Sequence, residues 1–194
     1  MQETKPYNIS KWKVKEAYEK VKANKGTYGV DDQSIEGFEE NLNNNLYKIW
    51  NRMSSGSYFP KPVRAVAIPK KNGGTRILGI PTVEDRIAQM VAKMYFEPCV
   101  EPIFYDDSYG YRPSKSAIQA LETTRERCWR KDWVFEFDIK GLFDNIRHDY
   151  LIEMVKRHTE EAWVIMYIKR WLVAPFQMED GTIITRTSGT PQGG

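Results

Sequence analysis

Apolar positions recur at helical spacing through the first sixty residues, give way to β-branched runs, and return to helical spacing toward the end. Ser10 precedes Val14, Ala17, Tyr18 and Val21 on a 3.6-residue period, and Gly26 closes the stretch, so the pattern predicts a capped helix. Ile35, Phe38, Leu42, Leu46, Ile49, Trp50 and Met53 mark one face of a second helix, expected to run unbroken from about Ser34 to Met53. Val63 to Pro69 and Thr75 to Pro81 then read as two strands joined by Lys70, Lys71, Asn72, Gly73 and Gly74, a hairpin with a basic tip.

Thr82 and Asp85 have capping-box spacing ahead of Ile87, Val91, Met94 and Tyr95, in a helix that Pro98 is expected to halt. A further helix is expected from Ser114, with Ala117, Ile118, Leu121 and Cys128 on its buried side. Trp133 to Asp138 reads as a mostly buried strand that ends in a carboxylate. Helices are expected over about 148–156 and 160–172, followed by a hairpin over 176–187 that turns at Glu179, Asp180 and Gly181. The Gly-rich ending 189–194 looks like an interrupted element, and most tryptophans are expected in the core.

Composition narrows the class. The chain has 194 residues, 41% of them hydrophobic and 28% charged, which suits a folded globular protein, and no apolar run reaches the roughly 18–20 residues a membrane span needs. The polar first ten residues lack the signature of a secretory signal, so an intracellular setting is expected. Cys99 and Cys128 have no histidine at ligand spacing and read as buried thiols, not as a disulfide or zinc framework.

A net charge of +3 says little, but its placement says more. Lys61, Arg64, Lys70, Lys71 and Arg76 occur with no acid between them; without these five, acids outnumber bases. A segment with concentrated positive charge suits a polyanion through counterion release, and a solvated hairpin face is the competing reading. Asp138, at a strand end with the Ile139 carbonyl beside it, is the kind of oxygen donor a hard cation takes; a turn-forming aspartate is the competing reading. Asp144 suits a cap for the helix near His148.

Four segments in order carry a resemblance. They are Ile68 to Thr82, Ser108 to Pro113, Phe137 to Ile146 with His148, and Gly189-Thr190-Pro191-Gln192-Gly193-Gly194. Their succession resembles the first four sequence blocks of the reverse transcriptases, which also act as maturases, encoded by bacterial group II introns. Lys25-Gly26 and Gly29-Val30-Asp31 resemble the extra N-terminal block of that family, with Asp32 where the family usually has glycine.

The resemblance implies an α+β fold, the fingers of a right-hand polymerase with the first part of its palm. A helical extension of the fingers would occupy 1–60, the fingers with their basic hairpin 61–130, and a partial palm 131–194. It implies that Asp138 is a catalytic carboxylate that ligates Mg²⁺ together with the Ile139 carbonyl. Lys70 and Arg76 would hold the incoming triphosphate, Phe143 would exclude a ribose 2′-OH, and Gln192 would pack near the nucleotide. Lys61, Arg64, Lys71, Ile80, Pro81 and Arg112 would contact template or RNA.

Implied partners are intron RNA, an RNA template with a DNA primer, and deoxynucleotides, in a bacterial cytoplasm. The family's paired aspartates follow the glutamine block, so these residues are expected to belong to a longer enzyme and not to polymerise alone, because two ions need more than one carboxylate. Phe104-Tyr105-Asp106-Asp107 imitates that later motif but lies before Asp138 and is a decoy. Recognition of structured intron RNA without catalysis, a protein-interaction role, and self-association stay open as alternatives.

Overall fold

The computed structural model describes residues 5–70 and 73–191. The chain forms two compact units, one from residues 1–96 with 141–194 and one from residues 97–140.

The first unit holds the core. Helix α1 (Lys11–Asn24) starts where Ser10 Oγ accepts the Trp12 N–H at 3.2 Å, and it buries Val14, Ala17, Tyr18 and Val21. The expected second helix is two: α2 (Ile35–Glu39) and α3 (Leu42–Ser55). The break falls at Glu40 and Asn41, where Asn41 leaves helical geometry and Asn45 Nδ2 donates to the freed Phe38 carbonyl at 2.9 Å. An alternative donor for that carbonyl, the Asn45 side-chain amide, is what lets the backbone abandon its own ladder there.

Strands β1 (Val63–Pro69) and β2 (Thr75–Ile80) pair antiparallel from Arg64 opposite Ile80 to Pro69 opposite Thr75. Thr82 and Asp85 form the expected box: the Asp85 N–H donates to Thr82 Oγ1 at 3.1 Å, and that hydroxyl donates to Asp85 Oδ2 at 2.8 Å. Helix α4 (Val83–Val100) runs through Pro98 and does not stop there. A proline in the last turn removes a single ladder bond, which so long a helix tolerates.

Helices α7 (His148–His158) and α8 (Ala162–Leu172) lie close to the expected positions. Trp163, Val164 and Tyr167 of α8 join α1, α3 and α4 in one apolar cluster with Ile49, Met53, Tyr58, Ile87 and Val91. The short strands β3 (Phe176–Gln177) and β4 (Ile183–Ile184) complete a sheet of order β2-β1-β3-β4, with β3 parallel to β1. Asp144 lies inside the short helix α6 (Leu142–Asn145), and Arg147 takes the position before α7, so the expected Asp144 cap is not formed.

The second unit departs most from expectation. Helix α5 (Ala117–Cys128) is capped by Ser116 Oγ, which accepts the Gln119 N–H, yet it buries no residue: Ile118 and Leu121 are exposed. Residues 133–138 form no strand, and Phe135 and Phe137 are about nine-tenths exposed. An isolated apolar run has strand character only if a neighbour takes its backbone hydrogen bonds, and none of the described strands pairs with it. Both cysteines are exposed, and so are Trp12 and Trp133, whereas Trp163 is buried.

Candidate nucleotide and nucleic-acid site

Within the first unit a cavity of about 630 Å³ opens between the β1–β2 hairpin, the turn of α6 and the β4 segment. Its lining includes Lys70, Arg76, Phe143, Phe176, Arg186 and Thr190. Lys70 and Arg76 are exposed, and among the described residues neither makes an ion pair, although Asp144 also lines the cavity. Hairpin register puts Arg76 opposite Ile68 and Thr75 opposite Pro69, which places both cations at one end. Phe143, on α6, is 55% exposed and supplies an aromatic wall.

Arg186 was not anticipated. Its Nε and Nη2 donate to the Ala174 carbonyl at 3.1 and 2.9 Å, Nη2 also reaches the Trp171 carbonyl at 3.3 Å, and its guanidinium stacks on Phe176 at 4.6 Å. Burial pushes its pKa down, and Nη1 is buried without a hydrogen-bond partner among the described residues. The available signal was an arginine flanked by Thr185 and Thr187 with no acid nearby, but its role depends on β4 reaching the last carbonyls of α8.

The hairpin's other basic residues divide. Lys61 Nζ pairs with Asp31 at 2.9 Å, and the Lys61 N–H donates to Asp85 at 3.2 Å, so this lysine is partly committed to structure. The Arg64 guanidinium lies 4.6 Å over the Tyr28 ring, a cation–aromatic pair beside Ile80, its cross-strand partner. Pro81 is buried. The loop carrying Tyr28 is fixed over it: Arg86 donates to the Thr27 carbonyl at 2.7 Å and to the Lys25 carbonyl at 3.2 Å. Gly29 comes so close that a Cβ would stand 2.7 Å from the Thr82 backbone, which only glycine permits.

Arg112 is engaged within its own unit. Its Nε and Nη2 engage Glu101 at 2.9 and 2.8 Å, and Nη1 donates to the carbonyls of Tyr105 and Ser108 at 2.7 and 3.0 Å. With its side chain 10% exposed, it clamps a loop of the second unit. Asp107, from the decoy motif, is tied to Arg127 through two bonds of 2.8 Å, and that partner holds its pKa down. Lys71 and Gln192 lie outside the described residues.

Asp138 and Ile139 are exposed, outside any helix or strand of the second unit, and Asp138 makes no ion pair among the described residues. No group of three or more His, Cys, Asp or Glu among the described residues could hold a metal ion. A lone carboxylate does not complete a Mg²⁺ site, which needs several oxygens in near-octahedral geometry.

The sequence matches the family described as reverse transcriptase (RNA-dependent DNA polymerase) over residues 68–194. The chain belongs to this family. It is 38% identical over 181 residues to the group II intron-encoded protein LtrA of Lactococcus lactis subsp. cremoris, covering 92% of this chain and 30% of LtrA. To the protein YkfC of Escherichia coli it is 34% identical over 173 residues, covering 87% of this chain and 45% of YkfC.

This reverse transcriptase chain thus spans less than half the length of either relative. Its fold is similar to part of a solved chain described as a partial Cas6-RT-Cas1–Cas2 complex, with TM-score 0.57 and 23% identity over 95% of this chain and 30% of that one. This chain is a reverse transcriptase domain related to the group II intron-encoded LtrA. Among the described residues no helix is long and apolar enough to cross a membrane.

Proposed function

We propose that this chain supplies the nucleotide-gripping part of an RNA-directed DNA polymerase that also assists splicing of a group II intron. The observation that carries this reading is the convergence of Lys70, Arg76 and Phe143 on one cavity, with both cations unpaired. Lys70 acts as a point charge and Arg76 as a planar donor fork on the triphosphate, while Phe143 occupies the space of a ribose 2′-OH. Arg64, stacked on Tyr28 beside Ile80, contacts the template backbone.

Residues 1–60 and 61–130 act as fingers and 131–194 as the beginning of a palm. Asp138 acts as one metal ligand among several, since a Mg²⁺ site takes more oxygens than one carboxylate supplies. The chain by itself therefore binds deoxynucleotide but does not extend a primer.

The test is titration of a fluorescent deoxynucleotide triphosphate into the 194-residue protein. Lys70→Ala and Arg76→Ala should each weaken binding by roughly tenfold, as for the loss of one charge-assisted contact, and added salt should weaken it further. Unchanged affinity in both variants would defeat the reading. Primer extension by this chain with Mg²⁺ would refute the inactivity part.

A second reading, recognition of structured intron RNA without chemistry, is favoured by the same Tyr28–Arg64 pair, since an aromatic face beside a cation suits unpaired bases and backbone. Its mark is salt-sensitive RNA binding lost in Arg64→Ala but indifferent to nucleotide.

A further inference from the structure

We propose that His148 is a positioning residue that latches the segment 188–190 against α6 and thereby sets how Phe143 discriminates between deoxyribose and ribose. The proposal rests on the reading of Phe143 as the sugar gate.

Two backbone bonds join the segments: the Thr190 N–H donates to the Phe143 carbonyl at 2.7 Å, and the Gly189 N–H donates to the Ile146 carbonyl at 2.8 Å. The gate's own peptide is therefore held by the segment 188–190. His148 Nε2 donates to the Gly189 carbonyl at 2.8 Å, across 41 residues of sequence. Around this join the other side-chain tie is weaker, Ser188 Oγ to the Asp144 carbonyl at 3.5 Å.

Gly189 is buried at φ +75°, and a Cβ there would stand 2.7 Å from the carbonyl oxygens of both Phe143 and Asp144. Contact this close leaves one register for the two segments, and His148 fixes it from the other side of the glycine. An imidazole that touches neither cavity nor nucleotide acts here through the backbone it holds. Removing it frees the Gly189 carbonyl, lets 188–190 lift, and lets the Phe143 ring drift from the position where it meets a 2′-oxygen. Displacements well under an ångström suffice to weaken a steric filter of this kind.

The experiment uses the 194-residue protein with His148→Ala, His148→Gln and Phe143→Ala. Amide hydrogen exchange at Gly189 and Thr190 is measured alongside the ratio of deoxynucleotide to ribonucleotide affinity. His148→Ala should speed exchange at both amides and lower the ratio by roughly tenfold. His148→Gln, which can present an amide N–H to the same carbonyl, should restore much of both.

Equal protection in wild type and His148→Ala would overturn the latch. Faster exchange with an unchanged ratio would overturn its link to the gate, and so would a glutamine variant that behaves like alanine. Should His148→Ala fail to fold, the glutamine variant decides alone: loss of protection or of sugar preference there refutes the proposal. If Phe143→Ala leaves the ratio untouched, the gate reading fails, and the exchange measurement still decides whether His148 holds the join.

Discussion

The phenol of Tyr58 donates a hydrogen bond to the carboxylate of Asp85 where both side chains are only 2% exposed. Thr82 Oγ1 and the Lys61 N–H also donate to that carboxylate, so the capping residue of α4 anchors the start of β1 as well. Burial pushes Asp85 up to about 6 from an ordinary 3.8, against the three donors that favour its charge. Tyr58 is pushed well above its usual 10 by the same burial.

An acid whose folded-state pKa lies above its unfolded value holds its proton more tightly when folded. Stability is therefore highest below about pH 4, falls as pH rises from 4 to 6, and levels off above that, by on the order of 3 kcal/mol if Asp85 acts alone. Thermal unfolding followed from pH 4 to 7 checks this, and Asp85→Asn should flatten the slope. A variant with the wild-type slope would mean that another group is responsible.

Arg170 braces the loop before β1. Its Nη1 donates to the Gly56 carbonyl at 2.8 Å and also to that of Tyr58, while its guanidinium lies 3.9 Å over Phe59. Lysine keeps the charge but not the planar fork, so Arg170→Lys should cost about 1–2 kcal/mol in chemical denaturation. A loss within 0.3 kcal/mol, near the usual scatter for surface changes, would show that charge alone matters.

Two glycines with positive φ separate strain from space. Gly181 at +84° has open surroundings, and alanine there should cost about 1 kcal/mol. At Gly189 the same change adds a collision with two carbonyl oxygens, one of which holds Thr190, and the cost should exceed about 3 kcal/mol. Similar midpoints for the two variants in urea would contradict the packing described for 188–190.

Phe135 and Phe137 make an apolar surface in the second unit that solvent reaches freely. Phe135→Lys with Phe137→Lys should leave the main unfolding transition within about 0.5 kcal/mol and lower binding of a hydrophobic dye. Destabilisation above about 2 kcal/mol would instead mean that these rings are packed.

What could be read in advance divides by range. Ser10 with Val14 to Val21, the hairpin, and Thr82 with Asp85 depend on neighbours within a few residues, and their forms follow from spacing alone. The break at Asn41 did not, because an uninterrupted apolar face also suits one helix, and the choice turns on Asn45 reaching back to Phe38. Trp133 to Asp138 carries strand composition, but its burial depends on a distant partner that composition does not name.

At the site, Lys70 and Arg76 stood out through the acid-free run of bases and Phe143 only through the order of motifs, and the cavity brings these three together. The carbonyl contacts of Arg112 and Arg186 could not be read from spacing, since whether an arginine faces solvent or a set of carbonyls is decided by how the loops around it close.

Since Trp163, Val164 and Tyr167 of α8 pack among helices formed by the first hundred residues, those helices emerge from the ribosome long before their last packing partner exists. At about 5–20 residues per second, the nascent chain waits several seconds with that apolar face bare. During this interval the exposed face is open to chaperone capture and to aggregation, and it closes only once α8 has been made.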